Sequence, residues 1–436
     1  MKTTRLHDPN AAKTGGPAPE IETTTLANGL RVLTDPMAEV ESVSLGVWVE
    51  AGARYETPAQ SGISHLLEHM AFKGTERRSA RAIAEEIEAV GGQMNAYTAR
   101  ENTAYYVKVL KEDADLALDI LGDILRHSTM DSDELARERT VVLQEIGQAR
   151  DTPDDIVFDH FQETAFPGQP LGRPVLGDET VVSTVERGAL IGYMARHYGA
   201  GRMVLAAAGR IEHGRLVELG AAAFGDLARG EPTLPEPGRY AGGEFRAKRK
   251  LEQAHIVLGF EGLSVHDPDY HALQVFSTAL GGGMSSRLFQ EVREKRGLVY
   301  TIHSFVSSFE DCGVLGIYAG TDPARLGELM PILSDEMVNA AANIGAAEIE
   351  RARAQLRAGV LMGLERTELR AEQLAQQVLV YGRPIPIAET LAELDAVDQA
   401  AIARVAARLL RSRPTLAALG PLARLESFDV FRARLG

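Results

Sequence analysis

His65, Glu68 and His69 stand within one five-residue run, His65-Leu66-Leu67-Glu68-His69. On an α-helix, positions i and i+4 share a face, so the two imidazoles lie one above the other. Rings so spaced can both reach one Zn²⁺ ion at about 2.0–2.1 Å. Glu68 lies on the flank of that face, where a carboxylate can take a proton from water beside the metal. The spacing is H-x-x-E-H, the inverse of the H-E-x-x-H zinc signature, and it points to metal-assisted hydrolysis. Two solvated histidines on a polar helix face are the plainer reading of the same letters. Ile63, Leu66, Leu67 and Met70 oppose that reading, because they make the rest of the helix apolar and therefore buried.

A catalytic zinc usually takes three protein ligands and keeps a fourth position for water. The helix expected over 131–148 carries Glu138 and Glu145, seven residues apart and so on one face. Glu145 is embedded in Val141-Val142-Leu143-Gln144-Glu145-Ile146. A carboxylate buried in such a run needs a partner, and a metal is an adequate one. Glu138 is flanked by Arg137 and Arg139 and by itself reads as one half of a surface salt bridge.

These side chains need a scaffold, and 436 residues provide for two domains of about 200 each. Apolar residues at 45% and charged residues at 25% are ordinary for a globular chain with a real core. The net charge of −15 disfavours nucleic acid and anionic lipid as partners. No apolar run is long enough for a membrane span. The first twenty residues are polar and resemble no signal peptide, so the expected location is the bacterial cytoplasm, ahead of an organellar matrix. Cys312, the single cysteine, cannot close an internal disulfide and reads as a core or turn residue.

Along the chain, 23–35 reads as a hairpin around the two-residue turn Asn28-Gly29. A strand at 43–49, helices over 61–71 and 79–90, a hairpin at 93–110 and helices over 113–127 and 131–148 follow. Asp131 and Glu134 have capping-box spacing at the start of the last of these. A strand at 204–208 and a helix over 213–224 close the first half. Three prolines within 230–243 mark an extended connector. The second half repeats the order: strand 255–260, helix 269–280, strands 300–306 and 313–319, helices 324–342 and 346–366, and strand 415–419. The sequence thus predicts an α+β chain of two homologous domains, each a mostly antiparallel sheet packed with helices. The expected divisions are a flexible N-terminal tail at 1–20, a zinc-binding domain at 21–229, a linker at 230–243 and a homologous domain at 244–436. Aligning the helix starts puts Gly359 where Glu145 stands, so the second domain is expected to be metal-free. Gly281-Gly282-Gly283 lacks a following phosphate-loop pattern and reads as a helix-ending hinge.

Four segments in this order and spacing resemble one family. They are His65-Leu-Leu-Glu68-His69-Met-Ala-Phe-Lys-Gly-Thr75, Glu145 lying 76 residues after His69, Gly91-Gly92-Gln93-Met94-Asn95-Ala96-Tyr97-Thr98, and Arg293-Glu-Lys-Arg-Gly-Leu-Val-Tyr300. The chain resembles the pitrilysin/insulinase metallopeptidases over nearly its whole length. It is similar to their two-domain members, the β-subunit of mitochondrial processing peptidase and its bacterial relatives. The resemblance implies one Zn²⁺ per chain, held by His65, His69 and Glu145, with Glu68 as general base. It implies that Glu138 orients a ligand histidine or its helix. Asn95 and Ala96 would lie on an edge strand to which an extended peptide adds. Arg293 and Tyr300 would hold the substrate carbonyl and help stabilise the oxyanion; read without the family, both are structural. The implied assembly is a clamshell of which each domain forms half, and the implied activity is endopeptide hydrolysis of unfolded peptides or presequences. The implied partner is a second copy of this chain, or alternatively a non-catalytic homologue in a heterodimer. A non-catalytic core subunit of the same fold is the rival of another class, which the intact ligands oppose.

Overall fold

Strands form where β-branched and small apolar residues run together, and among the described residues twelve of them make two sheets. The computed structural model describes residues 3–6 and 20–435. The first sheet contains β1 (Thr3–Leu6), β2 (Ile21–Thr25), β3 (Arg31–Pro36), β4 (Ser42–Val49), β5 (Gln93–Thr98), β6 (Thr103–Leu110) and β7 (Met203–Gly209). The second contains β8 (Gly243–Lys248), β9 (Ala254–Glu261), β10 (Val299–Ser308), β11 (Gly313–Thr321) and β12 (Thr415–Gly420). The strand orders are β1-β2-β3-β7-β4-β6-β5 and β10-β11-β9-β12-β8.

Those orders contain the same five-strand plan twice. In the first sheet β3 runs parallel to β7, and β7, β4, β6 and β5 then pair antiparallel in turn. In the second, β8 runs parallel to β12, and β12, β9, β11 and β10 follow antiparallel. Each is therefore mostly antiparallel, with helices packed on it, and the first adds β1 and β2 at one edge.

The chain divides into two compact units. The first comprises Met1–Ile146, Pro174–Glu236 and Leu361–Thr390; the second comprises Gly147–Arg173, Pro237–Val360 and Leu391–Gly436. Within each unit, one helix from the opposite half of the sequence covers the outer face of the sheet. In the first it is Thr367–Tyr381, whose Ala371, Leu374, Ala375 and Val378 recur at helical spacing and pack on Leu33, Trp48, Ala104, Val204, Ala206 and Ala208. In the second it is Pro153–Ala165, packed through Val157 and Phe161 on Val257, Ala417 and Leu419. The central strands are thus buried on both faces, which is why β7 and β12 read as unbroken apolar runs without alternation. Gly259 in β9 makes room for this packing, since a Cβ there would lie 2.4 Å from the Phe161 ring.

The elements depart from the sequence reading at four places. Of the expected tail at 1–20, residues 3–6 are a strand paired with β2, and residues 1–2 and 7–19 lie outside the described residues. The turn between β2 and β3 uses more than Asn28-Gly29. Leu26 and Leu30 close it (N to O, 2.9 Å), Gly29 is left-handed at φ +97, and the Asn28 amide is spent on the carbonyl of Phe224 at 2.7 Å. Asp131 does cap its helix, accepting from the Asp133 and Glu134 amides, but Glu134 turns to Arg137 instead of completing a box. The helix expected over 346–366 ends at Gly363, and Thr367–Tyr381 is a separate helix. Among the described residues no helix is long and apolar enough to cross a membrane.

Truncating Leu374 to Ala should destabilise the first unit by about 2–5 kcal/mol, the usual cost of a large-to-small change at a buried site. Urea unfolding of the two proteins measures it, and an unchanged midpoint would mean that this helix does not seal the sheet.

Candidate metal centre

The helix Ile63–Ala71 carries His65, Glu68 and His69, and its first turn is pinned before the metal residues begin. Gly62 precedes it in a left-handed conformation, φ +96, against Gly177, where a Cβ would lie 2.3 Å from the Gly62 Cα. The buried Glu56 carboxylate accepts from the Gly62 and Ser64 amides, both at 2.8 Å, where the helix N-terminus favours negative charge. Ile63, Leu66, Leu67 and Met70 are buried in the core of the first unit, so the opposite side of the helix presents the imidazoles.

The His65 and His69 rings lie 4.7 Å apart, centroid to centroid. Each Nε2 is 3.6 Å from Glu145 Oε2, which comes from the helix Ser132–Asp151. Donors about 2.0–2.1 Å from a tetrahedral zinc lie about 3.3–3.4 Å from one another. The three donor atoms are therefore near the spacing that one zinc requires, and all lie within 4.8 Å of each other. His65 Nδ1 is buried without a hydrogen-bond partner, and it is Nε2 that faces Glu145. His65, His69 and Glu145 thus form a site able to coordinate one Zn²⁺ per chain. Among the described residues this is the one such group of donors.

Glu138 and Glu145 exchange the characters that sequence gave them. Glu145 is 39% exposed, whereas Glu138, a surface residue only when read from its flanking arginines alone, is 6% exposed. Arg137 pairs with Glu134, and Arg139 donates to the Val185 carbonyl, so neither takes Glu138. Instead, His69 Nδ1 donates to Glu138 Oε2 at 3.1 Å, and Lys73 Nζ reaches Glu138 Oε1 at 2.7 Å. The carboxylate thereby fixes the His69 tautomer and leaves Nε2 for the metal.

Glu68 Oε2 accepts the Thr98 hydroxyl at 2.6 Å. Burial pushes the Glu68 carboxyl up, against the Thr98 hydroxyl, His69 and the Thr98 amide, which hold it down. Burial, then the proximity of His69, holds His65 down to about 4, so its imidazole is neutral and ready to ligate at pH 7.

Thr98 ends β5, the terminal strand of its sheet, and Asn95 and Ala96 lie on that strand. The Ala96 amide is met by Asn95 Oδ1 at 2.9 Å. A cavity of about 420 Å³ lined by Trp48, Asn95, Tyr97 and Tyr106 opens on the other face of the sheet from the zinc helix, so it is not the reaction site. In the second unit, Arg293 lies over the Tyr300 ring at 4.9 Å and the Phe289 ring at 4.6 Å. Arg293 belongs to a π-helical turn, Phe289–Glu294, and Tyr300 is the extra residue of a β-bulge between Val299 and Thr301. The bulge turns the phenol outward, leaving it 76% exposed. Glu56 carried no functional signal in the sequence, and Lys73 and Thr98, though inside family-like segments, were given no role there, since what they do depends on partners remote along the chain.

Glu145→Gln should lose zinc, and Glu138→Gln should bind it about 10- to 100-fold more weakly, as read by competition with a chromogenic chelator. The metal-free protein should also lose stability in mild acid. His65 and His197 are both held near 4 by burial, while in the unfolded chain they take protons near 6.5. Unfolded chains bind the extra protons, so stability is full above about pH 6.5 and declines toward pH 4. Urea midpoints at pH 7.5 and 5 test this; a midpoint that does not fall by pH 5 contradicts it.

The comparisons with known proteins agree with this geometry. The family model for insulinase (peptidase family M16) matches residues 31–179, and that for the M16 inactive domain matches 184–356. An uncharacterised zinc protease of Streptomyces coelicolor is 41% identical, covering 92% of this chain and 90% of its own length. A probable β-subunit of mitochondrial-processing peptidase from Arabidopsis thaliana is 39% identical, covering 96% of this chain and 81% of its own. A protease from Helicobacter pylori shares the fold at a TM-score of 0.86 and 22% identity, covering 93% of this chain and 100% of its own. With three zinc donors gathered where the family model places its peptidase domain, the chain belongs to the insulinase family of peptidases, M16, and is a zinc metalloprotease.

Proposed function

We propose that the chain is an endopeptidase for extended, unfolded peptides. The observation that carries this reading is the junction of β5 with the metal centre. The open-edged strand that could take a peptide ends in Thr98, whose hydroxyl touches Glu68 beside the zinc donors. An extended substrate would add to β5 by main-chain hydrogen bonds at Asn95 and Ala96, displacing the Asn95 side chain from the Ala96 amide.

Zinc held by three donors supplies Lewis acidity toward a peptide carbonyl and toward water. Glu68 accepts the proton from the attacking water and returns it to the leaving amine. Glu138 keeps His69 in the tautomer that ligates. Arg293 and Tyr300 act on the substrate carbonyl and the developing oxyanion, the bulge at Tyr300 keeping its hydroxyl free to donate. By homologous halves of the sequence, residues 21–229 form the catalytic domain, 230–243 the linker and 244–436 a metal-free domain that supplies Arg293 and Tyr300. The chain acts as a homodimer in the bacterial cytoplasm. A heterodimer with a non-catalytic homologue is the second reading, favoured by the name and 39% identity of the Arabidopsis relative.

Wild type and Glu68→Gln, assayed on several quenched-fluorescent unstructured peptides, provide the test. Both should carry one zinc, and only wild type should cleave. Zinc-loaded wild type without activity on any peptide would reject the reading, unless adding a homologous partner restored cleavage, which would select the heterodimer. Tyr300→Phe should retain zinc and lose about 10- to 1,000-fold in kcat; full activity would remove Tyr300 from the mechanism.

A further inference from the structure

We propose that Thr98 is a positioning residue, through which the strand that receives the peptide also aims Glu68. The inference rests on the reading of Glu68 as proton acceptor. A threonine hydroxyl has one proton to give, and two acceptors stand near it: Glu68 Oε2 at 2.6 Å and the Ser64 carbonyl at 3.4 Å. A hydroxyl bond to a carboxylate falls at about 2.5–2.7 Å, so the proton goes to Glu68. The hydroxyl thereby tethers Oε2, adding to the Thr98 amide that also acts on this carboxylate and that a side-chain substitution leaves in place. Without the tether, the glutamate side chain regains rotamer freedom at the moment when its direction matters.

Thr98 can serve as an anchor because its own backbone is fixed from three sides. It pairs with Thr103 across β6, and the buried Thr103 hydroxyl donates to the Ala51 carbonyl at 2.7 Å. The next residue, Ala99, donates its amide to Asn102 at 2.8 Å. The preceding residue, Tyr97, points to the other face of the sheet, where its hydroxyl meets Asn102 at 3.1 Å and Gln376 at 3.0 Å. Alternation along β5 then directs Thr98 and Ala96 toward the zinc helix. The tether joins the strand to the helix flank and contacts none of the three metal donors, so it governs the direction of the base and not the retention of zinc.

The experiment compares Thr98→Val, which keeps the shape and removes the donor, with Thr98→Ser, which keeps the donor. Zinc content, kcat and KM are measured on a quenched-fluorescent peptide, and the Kd of that peptide is measured for the Glu68→Gln and Glu68→Gln/Thr98→Val proteins. Thr98→Val should retain one zinc, leave KM and the Kd within about 2-fold and lower kcat about 10- to 100-fold, a portion of the general-base contribution. Thr98→Ser should recover kcat to within about 3-fold of wild type. Wild-type kcat in Thr98→Val overturns the proposal, as does loss of zinc or of peptide affinity in Thr98→Val, or a Thr98→Ser protein no better than Thr98→Val. If Glu68→Gln still cleaves, the reading of Glu68 fails on its own account; if Glu68→Gln is inactive and Thr98→Val is not impaired, only the tether fails.

Discussion

The hydrogen bond from His69 Nδ1 to Glu138 ties together the two helices on which the metal centre is built. His65, Glu68 and His69 come from one short helix and Glu145 from another that begins more than sixty residues later in the chain. Zinc ligation tolerates little misplacement, so the two helices need a fixed register before any metal arrives. Glu138 supplies it, because it sits two turns before Glu145 on the same face and grips the far side of a ligand imidazole. Lys73, just past the end of the zinc helix, closes the contact by holding the other carboxylate oxygen. One buried carboxylate thus sets the tautomer of His69, the spacing of the helices and the reach of Glu145.

The two units show what the fold needs and what the site adds. Five strands recur in the same order and direction, each sheet covered on its outer face by one helix from the other half of the sequence. None of this requires a metal, since the second unit keeps the plan with glycine at the position matching Glu145. The core is therefore indifferent to the chemistry, and the zinc site occupies the polar side of a helix whose apolar side is already satisfied. That separation allows one copy of the fold to carry ligands and the other to carry an exposed, bulge-mounted Tyr300 beside Arg293.

The parts legible in sequence were those with local periodicity or fixed spacing. His65 and His69 at i and i+4 and the repeated order of strands and helices both follow from counting. What depended on remote partners was not legible. The helix Thr367–Tyr381 shows an amphipathic stripe, but nothing in its letters says that it covers a sheet made by residues 31–110 and 203–209. Glu138 looked solvent-facing because its neighbours are arginines, yet those arginines leave for Glu134 and the Val185 carbonyl. Glu145 looked buried because its neighbours are apolar, although Val142 and Ile146 face the core while Glu145 and the exposed Val141 do not. In each case neighbours along the chain stood in for neighbours in space, and on a helix adjacent residues point in different directions.

Charge explains why this cluster suits a cation. Glu68, Glu138 and Glu145 bring three carboxylates to one side of the zinc helix, and Glu145 already pushes the Glu68 carboxyl up. His65 cannot compensate, because burial keeps it neutral down to about pH 4. Lys73 offsets one of the three. The remaining two negative charges match one divalent ion held by neutral imidazoles and a carboxylate, which leaves the site formally balanced with Glu68 still ionised. A protonated Glu68 could not take a proton from water, and a divalent ion bound at these donors would favour the ionised form that a base requires.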